Sequence, residues 1–420
     1  MALPLFSTCV CAQSPAVYNL SAIHFIGLDR YTTEQGIAAS GLRVGGSITL
    51  ADLQAAAERL SRTGAFDSVS FQYSSNGNDL TAQFGVTETK DVLPCVFDNF
   101  VWFTDADLDR TLRQRVTFYT GESPVRGDSV AQIRGALQDL LRSNGIPGKV
   151  AEMPSSLLGQ KFSALLFYVD GISLPIKDIT FSGESAISDK QLSDAAAGLR
   201  NQNFSNTNVA LYASATLLPL YYRRGYLRSQ FGRAGVSVID PNSKGPVTDV
   251  SVTVSVVEGN QYFWSGVSWS GNQALSASDL GKVLEMNPKD VANQEKIDTG
   301  FANARKTYES QGFINVRITP TRNLDDAVRL ASYSVRIDEG DQFHMGKVYF
   351  DGLPERVAAA LLKKWKLKPG DVYDESYPAD FLKDVAPKEL AQQGGGFHVT
   401  SMKQDADANR LIVDVHFGFH

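Results

Sequence analysis

A repeat of about 80 residues constrains the fold of this chain more than any other feature. A glycine at the predicted end of a helix recurs in steps of 81, 80 and 87 residues, at Gly64, Gly145, Gly225 and Gly312. One helical turn before each glycine stands a leucine or a tyrosine: Leu60, Leu141, Tyr221 and Tyr308. A period of this length predicts an array of small domains joined end to end.

The repeating unit is clearest in the first 90 residues. Ile23–Gly27 has the pattern of an opening strand, and Leu53–Leu60 places apolar residues at helical spacing. Val69–Tyr73 alternates apolar and polar residues as a half-buried strand does, and Asn76-Gly77 is a hairpin signal before a third strand. The sequence therefore predicts an α+β fold: about five β-α-α-β-β domains, each a three-stranded sheet with two helices on one face.

A second set of glycines follows the opening strands, at Gly27, Gly183, Gly271 and Gly352. We expect both sets of glycines to be structural, because a glycine readily adopts the left-handed conformation that ends a helix or turns a strand. The second unit lacks the opening-strand glycine and has Phe97–Phe103 in its place.

The repeat predicts five domains with short joints between them, preceded by an N-terminal segment at residues 1–16. The expected boundaries are 17–90, 91–172, 173–260, 261–341 and 342–420, of which 91–172 and 342–420 diverge most from the pattern. Joints of a few residues predict that neighbouring domains touch.

The N-terminal segment admits two interpretations. It has a short apolar stretch followed by Val10-Cys11-Ala12, which suits signal peptidase, but no Lys or Arg precedes that stretch. It is interpreted either as the remnant of a secretory signal or as a disordered tail.

Composition and motifs argue against several classes of function. The net charge of −6 disfavours a protein that binds nucleic acid through its phosphates. No apolar run reaches the roughly 20 residues of a spanning helix. The five histidines lack metal-ligand spacing, and neither a nucleophile elbow nor a phosphate loop is present. We expect no catalytic, metal or cofactor site, and hence no enzyme.

The first unit also carries a recognisable signature. The pattern GL-x₃-G-x-I-T, followed by L-x₂-A-x₃-L-x₃-GAFDSVSF, resembles the POTRA (polypeptide-transport-associated) domain. Five such units in tandem resemble the periplasmic arm of BamA-type outer-membrane β-barrel assembly proteins. Members of that family continue into a membrane barrel, whereas this sequence ends at His420.

The resemblance implies a function and a location. It implies a periplasmic, outer-membrane-associated scaffold that binds unfolded outer-membrane protein clients and other envelope assembly proteins, and that associates with an outer-membrane barrel. An envelope or divisome-like scaffold with fixed protein partners remains an alternative, and so does an enzyme built on the same repeat.

The resemblance further implies where binding occurs. In this family the second strand of each domain lies at the sheet edge and can pair with an added strand. Carried over, the binding residues are Val69, Ser70, Phe71 and Gln72 in the first domain and Ile314, Asn315, Val316 and Arg317 in the fourth. The sequence leaves open whether the backbone N–H of Ser70 points outward or into the sheet.

Overall fold

The computed structural model describes residues 16–155 and 163–420. Within these residues it contains five β-sheets, each built from one consecutive stretch of chain with helices between the strands. The predicted α+β array of small domains is confirmed, and we number the domains 1 to 5 by their sheets. Residues 1–15, which carry almost all of the interpreted signal remnant or tail, lie outside the described residues.

Contacts between residues group the chain into two compact units. The first contains the described residues up to Thr180 together with 196–211 and 233–254, and the second contains 181–195, 212–232 and 255–420. Domains 1 and 2 belong to the first unit and domains 4 and 5 to the second. The division passes through domain 3.

Domain 1 sets the pattern for the others. Its elements are β1 (Tyr18–Ile26), α1 (Thr33–Ser40), β2 (Ser47–Ile48), α2 (Leu50–Arg62), β3 (Phe66–Asn76) and β4 (Asp79–Glu88). The strand order is β2–β1–β4–β3, with β4 parallel to β1 and antiparallel to β3. The core lies between the sheet and the helices, where α2 buries Leu53, Ala56 and Leu60.

Domain 2 repeats this order as β6–β5–β8–β7. Its elements are β5 (Val92–Phe97), α3 (Asp105–Arg115), β6 (Glu122–Pro124), α4 (Ser129–Ser143), β7 (Lys149–Ser155) and β8 (Ala164–Asp170). In both domains the loop between the helices runs antiparallel beside the first strand and adds a strand of two or three residues. The sequence predicted three strands, and the sheets of domains 1 and 2 each have this one short strand in addition.

Domain 3 differs in its edge strand, which is broken into two pieces. Its elements are β9 (Ile176–Ser182), α5 (Asp189–Ala195), α6 (Asn206–Tyr212), α7 (Leu218–Tyr222), β10 (Gln230–Phe231), β11 (Gly235–Val238) and β12 (Val250–Val257). Both β10 and β11 pair with β12. A π-turn at Ala213–Leu217 joins α6 to α7, whose second residue, Pro219, lacks the N–H that a regular helix would use.

Domains 4 and 5 have the expected three strands. Domain 4 consists of β13 (Phe263–Ser270), α8 (Ala277–Leu284), α9 (Gln294–Glu309), β14 (Arg317–Asp325) and β15 (Leu330–Asp338). Domain 5 consists of β16 (His344–Asp351), α10 (Glu355–Lys364), α11 (Tyr377–Asp380), a π-turn (Phe381–Val385), α12 (Ala386–Gln392), β17 (Val399–Asp407) and β18 (Ile412–Phe419). The strand orders are β13–β15–β14 and β16–β18–β17.

The glycines after the opening strands share one environment. Gly27, Gly183, Gly271 and Gly352 have φ values from +82° to +93°. A Cβ on any of them would lie 2.0–2.5 Å from a carbonyl oxygen near the end of the domain's last strand. Only glycine allows the chain to turn this close to that strand.

In domain 2 a side chain, rather than a glycine, contacts the last strand at the loop after the first strand. Asn99 donates from Nδ2 to the carbonyl of Val169 at 3.0 Å and accepts from the Val169 N–H at 2.7 Å. The asparagine amide thus pairs with the last strand as a backbone amide would. This pairing accounts for the missing glycine of the second repeat.

The helix-ending glycines Gly64, Gly145, Gly225 and Gly312 all have positive φ, from +71° to +83°. Three of them also touch the next domain. A Cβ would lie 1.8 Å from the Arg126 carbonyl oxygen at Gly64, 2.7 Å from that of Tyr262 at Gly225 and 2.5 Å from that of Phe343 at Gly312. A Cβ on Gly145 would meet nothing within 4 Å.

Two of these joints are built alike. The N–H of Tyr262 donates to the carbonyl of Gly225, and the N–H of Phe343 donates to that of Gly312, both at 2.8 Å. Two residues after each glycine an aliphatic side chain enters the next domain: Leu227 joins the core of domain 4, and Ile314 packs against the core of domain 5.

Candidate functional site

The second main strand of every domain lies at an edge of its sheet. β3, β7, β14 and β17 each pair with one strand only, and in domain 3 β10 and β11 share the edge. An edge strand presents backbone N–H and C=O groups that another extended chain can pair with. The five edges differ in what covers these groups.

The hairpin of domain 1 fixes which backbone groups of β3 point outward. Asn76 lies opposite Asp79 across a two-residue loop, in which Gly77 has a φ of +61°. In such a hairpin the closing pair is hydrogen-bonded, and hydrogen-bonded pairs then alternate with non-bonded ones along the ladder.

Counting from that closing pair, Ser70 opposite Gly85 belongs to a hydrogen-bonded pair. Its N–H therefore points into the sheet, which answers the question that the sequence left open. The N–H and C=O of Val69, Phe71, Tyr73 and Ser75 point outward.

The two faces of β3 have different chemistry. Val69 and Phe71 pack against the core of domain 1, while Ser68, Ser70 and Gln72 alternate on the opposite face. An open groove of about 500 Å³ runs between β3 and α2. Its lining includes Gln54, Ala57, Glu58, Val69 and Phe71.

The edge of domain 2 is capped by side chains of α4. Gln138 accepts from the outward N–H of Val150 at 2.8 Å and donates to the carbonyl of Gly148 at 3.2 Å. Arg134 pairs with Glu152 at 2.6 Å, and Pro154 has no N–H. Of the three outward positions of β7, Val150 has its N–H capped, Pro154 has no N–H, and Glu152 carries the ion pair on its side chain.

In domain 4 the binding residues expected from the sequence are mostly not in the strand. β14 begins at Arg317, so Ile314, Asn315 and Val316 precede it. Val316 is 1% exposed, and its N–H donates to the carbonyl of Phe313 in a turn. Their placement on the edge strand was wrong, because Val316 is buried and Ile314 is partly buried and packs against domain 5 rather than alternating along an edge. That these residues bind a partner stays a prediction.

The edge of domain 4 is also obstructed. Arg305 of α9 donates to the carbonyl of Val316 at 3.1 Å. Pro320 lies in the middle of β14, opposite Val335. Because prolines in sheets are confined to positions whose N–H would face outward, Pro320 removes an outward donor.

In domain 3 the residues between β10 and β11 contact domain 2. Arg233 donates to the carbonyl of Phe97, and its Nε lies 3.3 Å from an Asp105 carboxylate oxygen. Ala234 is buried. The broken edge of domain 3 is therefore partly occupied within the chain.

The edge of domain 5 is a single strand that carries charge, with a register shift between Val399 and Ser401. β17 has nine residues and includes Lys403, Asp405 and Asp407. Lys403 and Asp405 form an ion pair at 2.6 Å, and Met402 is 40% exposed.

Two features of the described residues concern metal binding and nucleophiles. They contain no group of three or more His, Cys, Asp or Glu side chains that could hold a metal ion. Burial, with a smaller contribution from Glu122, raises the pKa of the Cys95 thiol to about 12, so this thiol is not an activated nucleophile. No described helix is both long and apolar enough to cross a membrane.

One recurring contact was not foreseen from the sequence. Near the end of the last strand of domains 1, 3 and 4, a glutamate (Glu88, Glu258 or Glu339) accepts backbone N–H groups from the loop after the first strand. Burial opposes ionisation of Glu88 and Glu258, but these hydrogen bonds outweigh it and lower both pKa values. The available signal was the Glu-Gly pair that ends two of these repeats, at Glu258-Gly259 and Glu339-Gly340.

The comparisons with known proteins agree with this architecture. The family model described as POTRA, surface antigen variable number repeat, matches residues 174–259 and 262–340. These two segments are POTRA domains in tandem, so the resemblance predicted from the sequence is confirmed.

Two curated relatives are outer-membrane assembly factors by name. One, from Treponema pallidum (strain Nichols), is provisionally named an outer membrane protein assembly factor; it is 24% identical over 51% of this chain and 26% of its own length. The other, the outer membrane protein assembly factor BamA of Buchnera aphidicola subsp. Acyrthosiphon pisum (strain APS), is 18% identical over 89% of this chain and 60% of its own length. The chain thus spans between about a quarter and three fifths of these relatives.

Among solved structures, Haemophilus influenzae BamA POTRA3-5 is 18% identical to this chain, with a TM-score of 0.42. The match covers 58% of this chain and 95% of that one.

Proposed function

We propose that this protein is a non-enzymatic periplasmic scaffold that binds extended polypeptide clients or partner proteins during outer-membrane β-barrel protein assembly. Binding occurs by β-augmentation, in which the bound segment adds a strand to an exposed sheet edge. The observation that carries the proposal is the edge of domain 1, where β3 directs a row of backbone groups away from its sheet.

This mode of binding suits clients of varied sequence. Affinity comes from N–H and C=O groups, which every polypeptide has, so it demands little of the client's side chains. The names of the two relatives support the setting, since both place assembly at the outer membrane. In that setting the chain acts in the periplasm, associated with the outer membrane and its barrel proteins.

A direct experiment measures binding of labelled peptides from the strands of an outer-membrane barrel protein by fluorescence anisotropy. The matched control peptide has the same sequence with alternate backbone amides N-methylated, which removes the donors on one edge while keeping every side chain. We expect the unmethylated peptide to bind and the methylated peptide to lose most of its affinity. Failure of all strand peptides to bind, with selective capture of one folded envelope protein, would instead favour a scaffold with fixed partners.

A further inference from the structure

We infer that clients dock on one particular edge, the β3 strand of domain 1 from Val69 to Ser75, and that this edge is open because Ala57 is too small to cap it. This inference rests on the proposed function and specifies where it is carried out. Its occupant is an extended segment with apolar residues at alternate positions and small polar residues between them.

The repeat places the capping side chains at one position. Gln138 and Arg305 each stand seven residues before the glycine that ends their helix, at Gly145 and Gly312. Gln138 reaches β7 at Val150 and the carbonyl of Gly148 just before it, and Arg305 reaches the carbonyl of Val316, the residue just before β14. In these two domains this position of the second helix supplies the side chain that reaches the edge.

In domain 1 the same position is Ala57, seven residues before Gly64. A methyl group cannot reach the strand, and a groove of about 500 Å³ remains between α2 and β3. Within the described residues, no side chain from α2 is hydrogen-bonded to the outward groups of β3. The backbone groups of Val69, Phe71, Tyr73 and Ser75 are therefore left for an added strand.

The edge of domain 1 also lacks charge. From Ser68 to Asn76 the strand contains no charged residue and no proline. Charged side chains and prolines are the devices that protect natural sheet edges from pairing, and β14 and β17 carry them at Pro320, Lys403 and Asp405. The strand itself therefore brings no charge to the new hydrogen bonds, and the charged side chains beside it, Glu58 and Arg62, belong to α2 and line an open groove.

The two faces of the edge define the occupant. On the groove side an added strand would lie beside Val69 and Phe71 of β3 and the methyl of Ala57, which favour apolar side chains next to the strand, while Gln54, Glu58, Ser61 and Arg62 of α2 also line the groove. On the opposite face it would lie beside Ser68, Ser70 and Gln72, which favour small polar ones. Alternation of this kind is typical of strands that bury one face.

The test uses the full chain and a fluorescein-labelled nonapeptide in which valine alternates with serine and threonine. Ala57→Gln should install the cap of domain 2, with the new amide pairing with the Val69 N–H and the Asp67 carbonyl, and should weaken binding about ten-fold. Ala57→Met fills the groove without a hydrogen-bonding amide and separates capping from simple crowding. It should weaken binding less than Ala57→Gln does.

Two proline variants locate the site independently. Tyr73→Pro removes an outward N–H donor from β3, at a residue whose side chain is 47% exposed. Met402→Pro makes the corresponding change in β17. Tyr73→Pro should weaken binding about ten-fold or more while Met402→Pro leaves it unchanged. Circular dichroism checks that each variant is folded. If Tyr73→Pro does not fold, the effect of Ala57→Gln on binding decides between the two edges.

The outcomes distinguish the inference from the proposed function. Binding that survives Ala57→Gln and Tyr73→Pro but is lost in Met402→Pro overturns the choice of domain 1 and leaves β-augmentation standing. A wild-type chain that binds no strand peptide overturns the proposed function itself. If Ala57→Gln abolishes self-association in sedimentation without changing peptide affinity, the occupant is a second copy of this chain and the inference is wrong.

Discussion

Domains 1 and 2 share a topology and adjoin in the chain, yet they differ at each of three equivalent places. Domain 1 closes its first loop with Gly27 and Glu88, where domain 2 uses Asn99. At the helix end, Gly64 abuts the next domain, while a Cβ on Gly145 would meet nothing within 4 Å.

The edges show the third difference, because β3 is open and β7 is capped by Gln138. The fold supplies an edge in every domain, and the side chains along that edge differ: Gln138 of the second helix caps β7, whereas Pro154 and Pro320 within the strands lack an N–H.

The largest expected effect concerns the joint between these two domains. Gly64→Val forces a β-branched residue into positive φ and places its Cβ 1.8 Å from the Arg126 carbonyl oxygen, while Gly145→Val incurs only the φ strain. We expect losses of about 4 kcal/mol or more and about 1–3 kcal/mol respectively, measured by urea unfolding followed by circular dichroism. Equal losses of unfolding free energy in the two variants would show that the close contact at Gly64 adds nothing to the cost of the φ strain.

The loop glutamate should make domain 1 the more acid-sensitive of the two. Hydrogen bonds from the N–H groups of Asp29 and Arg30, together with the Arg30 side chain, lower the pKa of Glu88 against the opposing effect of burial. A lowered folded-state pKa means that this stabilisation is complete above the unfolded pKa of glutamate and is lost as the pH falls through the folded pKa.

Glu88→Gln should cost about 2 kcal/mol at pH 7, because it removes hydrogen bonds to a charged group. The loss should shrink as the pH falls through the folded pKa of Glu88, since the wild-type carboxylate is then protonated. Asp170→Asn, at the exposed end of the last strand of domain 2, is the matched control and should change stability little. If the stability lost in Glu88→Gln does not vary with pH, the negative charge of the Glu88 carboxylate is not what stabilises the loop.

The smallest effect tests the cap itself. Gln138→Ala removes a hydrogen bond to the Val150 N–H and should cost about 1 kcal/mol of unfolding free energy. It should not create a binding edge comparable to β3, because Arg134, Glu152 and Pro154 still obstruct the strand. Peptide binding at domain 2 as strong as at domain 1 would show that Gln138 alone closes this edge.

Local patterns were enough to predict the array, the helix ends and the domain type. The period of Gly64, Gly145, Gly225 and Gly312 reports one backbone conformation, and backbone conformation depends mainly on neighbouring residues. Strand alternation likewise identified β3, because the side chains of Val69 and Phe71 pack within their own domain.

The errors and omissions arose where the partner lies far along the chain or in another domain. Ile314 and Val316 have the apolar alternation of a strand, but Ile314 is partly buried and packs against the core of domain 5, which periodicity does not reveal. Glu88 contacts a loop 57–59 residues earlier, so nothing local marks it. Gln138 was missed because an exposed-looking polar residue on a helix gives no sign that it caps a strand.

The most direct measurement is residue-resolved amide hydrogen exchange by NMR, with and without the alternating valine peptide. In the free protein the amides of Val69, Phe71 and Tyr73 should exchange faster than those of Ser68, Ser70 and Gln72, which point into the sheet. The peptide should slow the first three selectively and leave Val150, already capped by Gln138, unchanged. Uniform protection along β3 in the free protein, or peptide protection at another edge, would contradict the claim that domain 1 offers the open edge.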